Sequence, residues 1–268
     1  FRRGGGTLVL SADISNRLTS HMALSMKTLS ILLPLPLLAA CGEGGGAMPF
    51  ASPGATNTLV AQREHMVRLQ IEARGVADPA VLAAMRRVPR HEFIPERFRN
   101  EAYDDHPVPI GFGQTISQPY IVAAMTEAIE LKPSDTVLEI GTGSGYQAAV
   151  LAALVSNVYS IEIVPELAAQ AKATLERLGH TNVHVRAGDG YAGWPEHAPF
   201  NGIIVTCAPD AIPQPLIDQL ADGGRIVIPV GGGFGQELVR VTRRGKNLQR
   251  ERLMGVMFVP MTGKAQQP

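Results

Sequence analysis

The chain has 268 residues, 45% of them hydrophobic, and its 24 Lys+Arg are balanced by 24 Asp+Glu. This composition suits one α/β domain of about 200 to 250 residues with a sizeable core, and it excludes bulk disorder. A net charge of zero lacks the basic excess of a nucleic-acid binder, and neither the distant Cys41 and Cys207 nor the scattered histidines give a metal-ligand spacing.

In chain order, residues 1–25 show no periodicity and stay unassigned. Residues 26–55 read as a signal-like segment followed by a Gly/Pro-rich tether. Met26-Lys27 leads into an apolar run ending at Cys41, in the manner of a lipoprotein signal. That run is shorter than the roughly 20 apolar residues of a membrane-spanning helix. The alternative is a natural start near Met48 or Met66. The expected location is the cytoplasm, where an envelope protein, attached to a membrane only through a lipidated Cys41, is the alternative.

A single domain is expected over residues 56–263, with a tail at 264–268. Leu59, Met66, Leu69 and Ala73 recur at helical spacing before Gly75, which predicts a first helix. Asp78-Pro79 reads as an N-cap with a first-turn proline, opening a second helix through Val81, Leu82 and Met85. Residues 88–118 read as an ordered loop region, and the whole helical and loop part at 56–118 is expected to cover the site. Pro119 starts a helix carrying Ile121, Val122, Met125 and Ile129.

From there strands at 136–140, 157–163, 183–186, 202–206 and 225–230 alternate with helices at 145–155, 165–178 and 213–221. The alternation predicts an α/β fold with a Rossmann-like, doubly wound, mostly parallel sheet. Segments 237–242 and 248–259 then read as a C-terminal antiparallel hairpin. The basic cluster Arg243, Arg244 and Lys246 falls in its turn.

The strand at 136–140 runs into Gly141-Thr142-Gly143-Ser144-Gly145 and a helix follows at once. Glycines there permit a tight turn and close approach of a ligand beside a helix N-terminus. The spacing is GxGxG rather than the GxGxxG of a dinucleotide site. Glu139 stands two residues before the first glycine, where an acid opposes a pyrophosphate but suits the ammonium and sulfonium of S-adenosylmethionine. Glu162, beside Ile163, ends the second strand, placed for ribose hydroxyls. Asp189-Gly190 follows the third, placed for the adenine amino group, and Thr206 ends the fourth. Ligands of open α/β sheets bind at these strand ends, so the expected cofactor is S-adenosylmethionine.

The segment Gly111-Phe112-Gly113-Gln114-Thr115-Ile116-Ser117-Gln118-Pro119 resembles the protein-L-isoaspartate O-methyltransferase family. The stretch 89–95 (PRHEFIP), Gly188-Asp189-Gly190, Ala208-Pro209 and the run 223–231 (GGRIVIPVG) resemble it too. The likeness spans about Met66 to Gly263. It implies a Rossmann-type sheet, S-adenosylmethionine as methyl donor, and L-isoaspartyl and D-aspartyl residues of damaged proteins as substrates. It also implies that Thr115, Ile116, Ser117 and Gln118 receive the substrate, with Ser117 catalytic. A monomer is expected. Cys207 and Asn201 depart from the family pattern, where a small residue and Asp are usual.

Helix capping before Pro119 is the alternative role for Ser117. At the level of function, three alternatives stay open: methylation of a small-molecule acid or amine, a nicotinamide-dependent oxidoreductase, and a cofactor-binding protein without catalysis.

Overall fold

In the computed structural model, residues 53–232 and 235–266 are described, with side chains from Thr58 onward. The signal-like segment ending at Cys41 lies outside these residues. Helix α1 (Pro53–Met66) continues directly into a π-helical turn at Val67–Ile71 and a 3-10 turn at Glu72–Arg74, which Gly75 ends in the left-handed region. That π turn corrects the predicted helix face. A wider turn carries the following residues around the axis, so Val67 and Ile71 join Met66 in the core while Leu69 is 48% exposed and Ala73 is exposed. Period-3.6 counting cannot detect such a turn.

Helix α2 (Pro79–Arg87) starts as expected: Asp78 Oδ1 accepts from the amides of Ala80 and Val81 at 2.7 and 3.1 Å. Within 88–118 the loop expectation is corrected. Two 3-10 segments, Arg90–Phe93 and Glu96–Glu101, precede a hairpin of β1 (Val108–Gly111) and β2 (Gln114–Ile116). The hairpin turn sets Phe112 at φ +53° and Gly113 at +70°, the geometry of a tight two-residue connection. Phenylalanine is a poor signal for it, because bulky residues avoid positive φ. Helix α3 (Pro119–Ala128) follows, burying Val122, Ala123 and Met125.

The main sheet is built from β3 (Thr136–Ile140), β4 (Asn157–Glu162), β5 (Val183–Ala187), β6 (Phe200–Val205), β7 (Leu220–Val230), β8 (Gln236–Arg244) and β9 (Asn247–Val256). Its order is β5-β4-β3-β6-β7-β8-β9, parallel as far as β7 and antiparallel beyond it. The predicted hairpin is thus β8-β9, with β7 pairing onto its inner strand. Helices α4 (Tyr146–Ala152), α5 (Pro165–Arg177) and α6 (Gln214–Asp218) fill the crossovers. The third is shorter than the 213–221 predicted, because Leu220 already pairs with Phe200 in the sheet.

Successive strand residues face opposite sides. Val137, Val158, Ile204 and Val227 pack with the N-terminal helices and with buried residues of α4 and α5, while Leu138, Ile140, Ile203 and Ile226 pack with Leu216 and Met261. Both faces are covered, which is why these strands are mostly apolar on both sides rather than alternating. The chain order reverses about β3, and the crevice at the carboxyl ends of β3, β4 and β6 is where an open α/β sheet takes its ligand.

Candidate active site

One pocket occupies that crevice. Its wall includes Gln114–Ser117, Ile140–Ser144, Ile161–Ile163, Gly190, Thr206, Cys207 and Val259–Thr262, around about 820 Å³ of empty space that includes the open mouth. The glycine loop forms its floor. Gly141 N donates to Ile161 O at 2.8 Å and Gly145 N to Thr142 O at 2.8 Å, which folds the loop back onto β4 before α4 begins. Gly141 has φ +92°, and a Cβ there would collide with Thr206 Oγ1.

The three acids take different positions. Glu162 lines the pocket; its Oε2 accepts from Gly143 N at 2.8 Å and its Oε1 from Val164 N at 3.0 Å, so it braces the loop from β4. Glu139 is fully buried and outside the pocket wall. Ser160 Oγ donates to its Oε2 and lies 2.6 Å from Thr142 Oγ1, while Oε1 has no partner among the described residues. Burial pushes its carboxyl up to about 8, against the Ser160 hydrogen bond, with Glu162 adding to the rise. Asp189 is half-buried and also outside the lining; its Oδ1 accepts from Tyr191 N at 2.9 Å and its Oδ2 from Lys264 N at 2.8 Å.

The structure brings Thr115, Ile116 and Ser117 into the same pocket as Gly141, Thr142, Gly143, Ser144, Glu162, Ile163, Gly190 and Thr206. It does not bring Gln118 there: that side chain donates to Asp105 O at 3.0 Å. Gly145 packs beneath α4 against Leu175 and Ala171. Ser117 caps no helix, since α3 takes Gln118 as N-cap with no side-chain hydrogen bond. Its hydroxyl is therefore available to the pocket.

Sequence reasoning missed the segment Val259–Thr262, of which Val259 alone closed a predicted strand, and it left Gln114, Tyr146, Gln147 and Cys207 out of the site. No residue type in 259–262 advertises a ligand. The wall carries Glu162 and no Lys or Arg among the described residues. A polar floor with acids in and beneath it suits a cationic, hydroxyl-bearing ligand and disfavours a pyrophosphate. Together with the orphaned Glu139 Oε1, this donor set fits S-adenosylmethionine. Among the described residues no group of His, Cys, Asp and Glu could hold a metal ion, and no helix is long and apolar enough to cross a membrane.

Comparison with known proteins bears on the same residues. The model of the protein-L-isoaspartate(D-aspartate) O-methyltransferase family matches residues 61–266. The protein-L-isoaspartate O-methyltransferase of Picosynechococcus sp. is 55% identical over 216 residues, covering 81% of this chain and 97% of its own. That of Opitutus terrae is 58% identical over 202 residues, covering 75% and 87%. A solved protein-L-isoaspartate O-methyltransferase superposes with TM-score 0.70 at 30% identity, over 76% of this chain and 67% of that one. A Plasmodium falciparum chain described as a protein-L-isoaspartate O-methyltransferase, solved in complex with S-adenosyl-L-homocysteine, gives 0.66 at 27% identity, over 75% and 98%. On sequence and fold alike, the chain belongs to the protein-L-isoaspartate(D-aspartate) O-methyltransferase family.

Proposed function

We propose that the protein transfers a methyl group from S-adenosylmethionine to the free carboxylate of L-isoaspartyl residues, and of D-aspartyl residues, in damaged proteins. The observation that carries this reading is the meeting of Thr115–Ser117 with the glycine loop and Glu162 in one pocket, in a chain of this family.

When bound, the donor supplies a methyl group activated by a sulfonium sulfur. Residues Gly141–Gly145 let it lie against the backbone, Glu162 and Ile163 take the ribose, and Asp189 and Gly190 mark the adenine end. Glu139 lies beneath the loop, where an approaching cation would draw off the proton that burial holds on its carboxyl, and Thr206 fixes the loop's shape. Thr115–Ser117 receive the substrate. Ser117 Oγ donates a hydrogen bond to its carboxylate and so aims one oxygen at the methyl carbon.

The substrate carboxylate, with a reference pKa of about 4, is already ionised at neutral pH. No general base and no protein nucleophile is required. A carbon–oxygen bond forms as the carbon–sulfur bond breaks, its electron pair stays on sulfur, and no proton changes hands. Alignment of this kind supplies about 7 to 11 kcal/mol in favourable cases.

We place this work in a monomer, on the domain spanning 56–263, and in the cytoplasm, where the donor is made. The test is chemical. Radiolabel transferred from S-adenosylmethionine to an aged, deamidated protein should be released as methanol by mild base, as from a methyl ester. Base-stable label would instead indicate methylation of nitrogen or sulfur and overturn the reading.

A further inference from the structure

Beyond β9 the chain turns back to the site as a strap that is fastened at three points. At the first, Gln236 and Phe258 exchange two hydrogen bonds, with Phe258 N donating to Gln236 Oε1 at 2.6 Å and Gln236 Nε2 to Phe258 O at 3.0 Å. At the second, Ala208 N donates to Val259 O and Met261 N to Ala208 O, each at 2.8 Å, while Met261 buries its side chain in the core. At the third, Lys264 N donates to Asp189 Oδ2 at 2.8 Å. The residues held between, Val259–Thr262, are a wall of the pocket that Gln114–Ser117 also line.

The third fastening depends on two fitted residues. Asp189 uses Oδ1 to cap its own 3-10 turn at Tyr191 N, which leaves Oδ2 for the strap. Gly263 sits at φ +78°, and a Cβ there would stand 2.6 Å from Asp189 Oδ2 and 3.0 Å from Ile163 Cδ1. Only a glycine lets the strap approach so closely.

The geometry points to Asp189 as the latch of this strap, a positioning residue that holds Val259–Thr262 in place as a wall of the methyl-transfer pocket. The carboxylate acts through the strap, whatever it offers a ligand directly. This inference rests on the proposed function only in taking the pocket as the place where donor and substrate meet.

Two variants test it. Gly263→Ala displaces the strap and leaves the Asp189 carboxylate and its cap on Tyr191 intact. Asp189→Asn keeps one acceptor for Tyr191 and removes the one for Lys264. In both, amide hydrogens of residues 259–264 should exchange about tenfold faster with the rest of the sheet unchanged, the equivalent of one lost charge-assisted hydrogen bond. S-adenosylhomocysteine should bind about tenfold more weakly by calorimetry, and KM for substrate peptide should rise while kcat stays within about threefold.

Unchanged exchange in Gly263→Ala would overturn the latch. So would faster exchange with undiminished S-adenosylhomocysteine affinity, or weaker binding in Asp189→Asn with the strap still protected. Exchange and binding are read without turnover, so failure of the wild-type protein to methylate an isoaspartyl peptide would leave this test standing.

Discussion

Thr206 Oγ1 donates to the carbonyl of Gly141 at 2.7 Å and occupies the place where a Cβ on Gly141 would have to stand. The first glycine of the loop is therefore dictated twice, by its φ of +92° and by the hydroxyl that closes the end of β6 over it. Gly141→Ala should destabilise the protein by about 2 to 3 kcal/mol through combined backbone strain and overpacking. Thr206→Ala alone should cost about 1 kcal/mol for its lost hydrogen bond. The double variant should fall short of the sum by about 1 kcal/mol, because removal of the hydroxyl relieves the collision. Denaturant unfolding of the four proteins measures the coupling; strict additivity would mean that the two residues do not constrain each other.

Glu139 should make stability depend on pH in a direction opposite to that of a salt-bridged acid. Burial raises its folded-state pKa from 4.5 to about 8, so the folded protein keeps a proton that the unfolded chain releases between those values. Stability contributed by this group is present below about pH 4.5 and is lost as pH rises toward 8, by up to about 1.4 kcal/mol per unit. Glu139→Gln should flatten that decline and leave the ligand-free variant more stable than the parent at pH 8.5. S-adenosylhomocysteine should bind the variant more weakly. Parallel stability curves for parent and variant would show that Glu139 does not hold its proton.

Ser117→Ala should lower kcat for methyl transfer by about 10- to 100-fold, the loss of one hydrogen bond to a charged group. Its melting temperature should match that of the parent, since this hydroxyl caps no helix. Equal losses of activity and stability would assign Ser117 to structure.

Cys207 lines the pocket and looks like an exposed liability, yet burial, with Glu162 and Asp189 adding to it, pushes its thiol up to about 12. The thiolate is the reactive form, so native Cys207 should be alkylated at pH 8 at less than about a hundredth of its rate in unfolded chain. Mass spectrometry of the Cys207 peptide distinguishes it from Cys41. Similar rates in native and unfolded protein would contradict the raised pKa.

Much of this was legible in the sequence because burial on both faces leaves a plain mark. The runs 137–140 and 202–205 are apolar apart from Glu139, and the loop from Gly141 to Gly145 carries its conformation in its residue types. Asp78-Pro79 announces a cap. What escaped was set by contacts distant in sequence or by geometry without a residue signature. The π turn at Val67–Ile71 leaves the helical spacing nearly intact while moving the buried face. The Phe112-Gly113 turn places an aromatic residue at positive φ. Val259–Thr262 belong to the pocket only because Ala208 and Asp189 fasten them there. The acids Glu139 and Asp189 were found from their strand-end positions, but neither lines the pocket: Glu139 accepts from Ser160 in the core and Asp189 from Lys264 N, partners that no local pattern links to them.

The most direct measurement compares methyl transfer from S-adenosylmethionine to two synthetic peptides that differ only in one aspartyl or isoaspartyl linkage. Label confined to the isoaspartyl peptide is the predicted result. Equal labelling of both peptides, or of neither while S-adenosylhomocysteine demonstrably binds, would contradict the assignment of damaged-protein carboxylates as the substrate.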